Sequence, residues 1–166
     1  MRLALLRAPL PGWRMALAHR LGAALDHSPY SHGELVFSDR VTGSSWLRGG
    51  VQLRTMPDGH YDRARWDFFT IPDAAREQRA REWFAQNQHL PYDVWGPVRF
   101  GVGFVPQDAR GMYCHEAIAA SLGLSDPWRY TGGLLLALAR DHWNTMRVLG
   151  PWYTPPPWGE LGAPNA

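Results

Sequence analysis

The order of patterns along this chain predicts an α+β domain: a helix-forming stretch, then several short antiparallel strands, then helices. Three observations carry that reading. Residues 31–37, SHGELVF, alternate between two faces, with His32, Glu34 and Val36 on one and Leu35 and Phe37 on the other. Residues 66–71, WDFFTI, are dense in strand-forming side chains and end at Pro72. Residues 73–88 instead repeat apolar positions at helical spacing, with Ala80, Trp83, Phe84 and Asn87 along one side.

Taken in order, residues 3–7 read as a first strand and residues 13–25 as a helix, with Leu17, Leu21, Ala24 and Leu25 recurring on one face. Pro29 closes that stretch, because a proline disfavours helix in the residue before it. After the strand at 31–37, residues 39–43 are a turn and 44–46 a short returning strand. Gly49 and Gly50 mark a bend or bulge before a strand at 51–54. Residues 56–62 are polar loop. Asp73 is a suitable N-cap for the helix after it, and Pro91 ends that region. The Gly-, Pro- and aromatic-rich stretch 94–106 resists assignment. A helix then begins near Cys114 and closes at Gly123, and another runs from 131 to about 146. Residues 1–150 are thus one domain, and 151–166 form a Pro/Trp-rich tail suited to an extended path.

Composition excludes several functions. With 45% hydrophobic and 19% charged residues, the 166-residue chain is globular rather than disordered. Seventeen Lys and Arg against 15 acids give a formal charge of only +2, without the basic run that tracks phosphates, so nucleic acid is not an expected partner. The N-terminal apolar run is cut by Arg7 and prolines, too short for a signal peptide core or a membrane span. A single cysteine rules out an internal disulfide. The nine tryptophans fill core and surface grooves or line a substrate cleft, and sequence alone does not separate the two.

The chemistry centres on Cys114, in GMYCHEAIAASLGL at 111–124. The spacing Cys114, Ile118, Ser121, Leu122 turns its thiol toward the protein, which suits a buried cysteine acting as a small hydrophobe. Its place at a helix start suits a reactive one, because unpaired N–H groups there favour thiolate. His32 reads either as a satisfied core residue or as a base for that thiol. Tight metal spacing such as His-Glu-x-x-His or Cys-x-x-Cys is absent, so neither metal nor cofactor is expected.

Four blocks in this order, SPYSHGELVF (28–37), RGGV (48–51), LPYD (90–93) and YCHEAIAASL (113–122), resemble the circularly permuted branch of the NlpC-like papain-fold cysteine hydrolases. In that family the blocks look like SPYSHVELVF, GGV, PYD and CSELVAAAL. The resemblance spans residues 3–138 and implies a permuted papain-like fold, a small antiparallel sheet packed against helices with the nucleophile at a helix N-terminus. Permutation accounts for His preceding Cys. Carried over, Cys114 is the nucleophile and His32 the general base. The third polar group, which the family places on the following strand, falls on Ser45, with Ser44 one step away. Tyr30, Ser31, Tyr92, Asp93, Tyr113, His115 and Glu116 flank or support the site. His115 departs from the family's Ser, and Glu116 matches it. The implied activity is that of a thiol hydrolase of the cysteine peptidase type, cleaving an amide such as a cell-wall (peptidoglycan) peptide, or an ester. Phage-borne members look similar, which points to a cytoplasmic or virion-associated setting, with cell-wall association as a further option. Two other readings stand beside it: a non-catalytic binding or virion-assembly module on the same fold, and a lipid acyltransferase or esterase.

Overall fold

The computed structural model describes residues 1–7, 28–100, 110–141 and 147–148. The helix expected over 13–25, much of the stretch before Cys114 and the Pro/Trp-rich tail lie outside the described residues. The fold is α+β. An antiparallel sheet is built from β1 (Arg2–Arg7), β2 (Tyr30–Val36), β3 (Val41–Trp46), β4 (Gly50–Thr55), β5 (Trp66–Thr70) and a two-residue edge piece, β6 (Arg147–Val148). Its strand order is β4-β3-β2-β1-β5-β6. The described helices are α1 (Ala74–Gln86), a single turn α2 (Gly96–Arg99), α3 (Cys114–Ser121) and α4 (Gly132–Asp141), with a 3₁₀ turn at Pro127–Arg129. Among the described residues no helix is long and apolar enough to cross a membrane.

Alternation decides what each face buries. Leu3 and Leu5 of β1, Leu35 of β2 and Phe69 of β5 meet Ala80 and Phe84 of α1, Ala117 and Ile118 of α3, and Leu135 and Ala139 of α4 in one core. On the opposite face Ala4, Leu6, Val36 and Trp66 pack together, with Tyr61 and Phe68 partly buried against them. β1 is therefore covered on both sides, which is why RLALLR is a nearly unbroken apolar run. Each fully buried Leu or Phe contributes about 1.5–3 kcal/mol. Asp73 caps α1 as expected, its carboxylate accepting the Arg76 N–H at 2.8 Å. One boundary moves: β3 begins at Val41, inside the expected turn, because Arg40 at φ 69° closes a tight hairpin with Phe37 N–H donating to Val41 O.

Two irregularities interrupt the sheet around His32. β1 pairs Leu6 with His32 and Arg7 with Tyr30, so Ser31 is an extra residue bulged out of the ladder beside His32. β2 and β3 pair only at Leu35–Gly43 and Val36–Thr42, then separate, although β3 stays paired to β4 along its whole length. In the opened ladder the Ser44 hydroxyl donates to Gly33 O at 2.7 Å, where a strand N–H would otherwise serve.

Candidate active site

Cys114 opens α3 from the mouth of that separation. Tyr113 precedes it in an extended conformation and is tied down through its hydroxyl, which donates to Tyr130 O at 2.7 Å. Ser45 donates to Met112 O at 2.7 Å, and Met112 N–H donates to Pro91 O at 2.9 Å. The sequence blocks RGGV and LPYD meet here: Val51 N–H donates to Leu90 O at 2.9 Å, and His89 N–H to Val51 O at 2.8 Å. Gly50, at φ 66°, lies against the Leu90 carbonyl oxygen, where any Cβ would collide. Gly33 is equally constrained, since a Cβ would sit 2.9 Å from both His115 Cδ2 and Ile118 Cδ1. α3 thus packs directly on the backbone of β2.

Cys114, only 3% exposed, lies beside His32 and the Gly33 backbone, close enough for both to act on its charge. His32 Nε2 lies 3.2 Å from Glu34 Oε1, so the carboxylate engages that nitrogen and not Nδ1. The His32 side chain is 16% exposed, so the pair is not sealed from solvent. Trp46 and Trp66 flank the imidazole, with ring centroids 6.4 Å and 6.2 Å away. Burial alone lowers the His32 pKa, but the Cys114 charge and hydrogen bond, then those of Glu34, outweigh it and push the value up to about 10. At Cys114 burial raises the pKa. The attraction of His115, the charge and hydrogen bond of His32, and the Gly33 N–H overcome that and bring it down to about 6. Both shifts favour a thiolate beside an imidazolium.

Glu34 is fully buried, and four side chains converge on it. Tyr61 donates to Oε2 at 2.6 Å, Trp46 Nε1 donates to Oε1 at 3.3 Å, and His60 Nε2 lies 3.3 Å from both oxygens. His32 completes the set. Burial raises the carboxyl pKa, yet hydrogen bonds from His32 and His60, the His32 charge and the Tyr61 bond hold it down at about 2. Burial, the Glu34 charge and the Glu34 hydrogen bond together drive the Tyr61 hydroxyl well above its ordinary value, so it is a donor throughout the working pH range.

The position expected at Ser45 is corrected by this geometry. Ser45 is committed to the Met112 carbonyl and Ser44 to that of Gly33, so both hydroxyls serve backbone beside the opened ladder. Glu34, on the same strand as His32, is the group on the imidazole. Tyr30 donates to Asp67 Oδ2 at 2.7 Å, and Asp67 also pairs with Arg7. Asp93 accepts from Trp95 N–H at 2.9 Å and pairs with buried Arg99 at 3.0 Å, shaping the turn of α2, while Tyr92 beside it is half-buried. His115 is buried edge-on to Tyr113, with ring centroids 6.1 Å apart, and Glu116 is buried in the first turn of α3. Among the described residues no group of three or more His, Cys, Asp or Glu side chains is placed to hold a metal ion.

Sequence reasoning missed Trp46, His60 and Tyr61 as neighbours of the site. For Glu34 the signal is present, because alternation puts it on the His32 face. In comparisons with known proteins, no family model and no curated protein matches this chain.

Proposed function

We propose that this protein is a thiol hydrolase of permuted papain-like type, cleaving an amide or ester through a Cys-His acyl-enzyme. The observation that carries the proposal is the juxtaposition of Cys114, His32 and Glu34, with the imidazole hydrogen-bonded to the carboxylate and acting on a thiol at a helix start. A lone buried cysteine needs none of these partners. A nucleophile needs all of them: a base in contact, a group that fixes the base's tautomer, and a local field that favours thiolate.

The Cys114 thiolate attacks the substrate carbonyl carbon, and the charge that builds on oxygen faces backbone N–H groups at the start of α3. As the C–N or C–O bond breaks, the His32 imidazolium delivers its proton to the departing nitrogen or oxygen. Water then attacks the thioester carbonyl, His32 takes the water's proton, and the sulfur leaves as thiolate. Glu34 keeps His32 in the Nε2–H tautomer and carries the charge opposite the imidazolium. A serine there would supply no such charge.

The test is two-part. Iodoacetamide should modify Cys114 at mildly acidic pH, where an ordinary thiol is inert, and not the C114A protein. In a screen of muropeptides and acyl esters, turnover should disappear in both C114A and H32A. A thiol no more reactive than free cysteine would remove the basis for the proposal. Full reactivity without turnover on either class would favour the binding-module reading.

A further inference from the structure

Loop 56–65 returns across the face of the sheet opposite the helices and brings two side chains to a carboxylate that already serves His32. The contacts are directional. A tyrosine hydroxyl has one proton, and Tyr61 Oη lies 2.6 Å from Glu34 Oε2 and 2.7 Å from Thr42 Oγ1. Since Glu34 can only accept, Tyr61 donates to it and Thr42 donates to Tyr61. The chain therefore runs Thr42 to Tyr61 to Glu34, where it meets the bond coming from His32 Nε2–H. His60 Nε2 sits 3.3 Å from each carboxylate oxygen. Its ring is held between Tyr61, at 4.7 Å between centroids, and Trp66, at 5.4 Å, while Trp66 Nε1 donates to the His60 carbonyl at 3.1 Å. The His60 side chain is 28% exposed and Glu34 not at all, so the loop closes over a charge that water does not reach.

We propose that His60 and Tyr61 are positioning residues for the Cys114–His32 pair, acting as a clamp that holds Glu34 ionised and aimed at His32 Nε2. The proposal rests on the hydrolase reading and deepens it. Its physical basis is the division of labour between the two oxygens. Oε1 faces His32 and Trp46 and shares His60, whereas among the described residues Oε2 is bonded only by Tyr61 and His60. Without those donors Oε2 is a buried acceptor with nothing to accept, and burial then favours protonation or rotation away from His32. In either event the imidazolium loses its counter-charge, neutral thiol beside neutral imidazole becomes competitive, and thiolate is lost.

The test tracks thiolate ultraviolet absorbance and alkylation rate against pH in Y61F, H60L, H60Q and T42V, each compared with wild type and with C114A as baseline. Y61F keeps the ring against Trp66 and Phe68 and removes only the donor. H60Q keeps an N–H donor, and H60L does not. The thiolate midpoint should rise by about one pH unit in Y61F and in H60L, roughly a tenfold loss of thiolate on the acid limb. H60Q should stay near wild type, and T42V should move less but in the same direction. A loop that merely packs would lower thermal stability and leave these midpoints in place. Unchanged midpoints in folded Y61F and H60L overturn the clamp while leaving the hydrolase proposal intact. An ordinary thiol midpoint in wild type would overturn both. Should H60L fail to fold, Y61F and T42V alone decide the matter.

Discussion

Replacing Glu34 with Gln tests whether the charge at this position, and not only the hydrogen bond, sustains the thiolate–imidazolium pair. Gln has nearly the same volume and can still accept from His32 Nε2–H, so the 3.2 Å contact can survive while the carboxylate is lost. The size of the effect is bracketed by two arguments. A hydrogen bond to a charged group exceeds a neutral one by about 1 kcal/mol. Unit charges about 4 Å apart at an effective dielectric near 20 attract by about 4 kcal/mol, which is the upper bound. At about 1.4 kcal/mol per pH unit, the His32 titration should fall from about 10 by roughly one to three pH units. The window in which the ion pair exists narrows from its alkaline side, and the thiolate fraction at neutral pH falls with it. Following the His32 ring protons by NMR, together with the thiolate absorbance, separates the two sites despite their coupling. A single alkylation rate would mislead, because a thiolate of higher pKa is intrinsically more nucleophilic and masks part of the loss. If His32 titrates in E34Q where it does in wild type, Glu34 is a structural carboxylate and the charge argument fails.

Three further outcomes are expected from the same contacts. In H32Q the thiol keeps the attraction of His115 but loses the His32 contribution that helps hold it down at about 6, so its alkylation midpoint should climb part of the way toward the ordinary thiol range, read by iodoacetamide kinetics. Gly50→Ala should cost about 3 kcal/mol in urea denaturation, combining a left-handed φ of 66° with a collision at the Leu90 carbonyl; a change under about 1 kcal/mol would mean that the β4–loop contact is slack. Acid stability should carry a Glu34 signature. Its folded pKa of about 2 lies below the unfolded 4.5, so its contribution is whole above pH 4.5 and is lost as pH falls through about 2. That contribution is of the order of 3 kcal/mol, and denaturation midpoints for E34Q should be flatter over this range than those for wild type.

Much of the fold is legible because its signals are local. The alternation of 31–37, the Asp73 cap and the apolar run of β1 each arise from neighbouring residues, and each occurs where those residues dictate. Glu34 is legible on the same terms: two residues from His32 on one strand is about 7 Å of backbone and a shared face. Ser45 enters only through the habit of placing the third group on the next strand. That placement requires β3 to stay in register beside β2, and here the strands have parted. His60 and Tyr61 leave no trace in sequence. Their stretch is polar and aperiodic, and only its return across the sheet brings them to Glu34. His115 is harder still, since its burial depends on Gly33, on a strand far earlier in the chain, leaving space for the ring.

Under the proposed mechanism, the parting of β2 from β3 is what suits a buried sulfur to act as a nucleophile. In a closed ladder, Gly33 N–H and C=O would both be spent on β3. With the ladder open, the carbonyl is satisfied by Ser44, and the Gly33 backbone N–H helps to lower the Cys114 pKa. Such an opening has to be held, because exposed strand edges invite water or re-pairing. Ser45 to Met112 spans it from β3, and the series Val51–Leu90 and Pro91–Met112 braces it from β4. Gly-Gly-Val and Pro-Tyr-Asp, the least specific blocks in the sequence, thereby acquire a mechanical reason to accompany the histidine and cysteine blocks. They fix the distance between β4 and the start of α3, and with it the approach of sulfur to imidazole. A substitution in either block should therefore reach the chemistry without touching it.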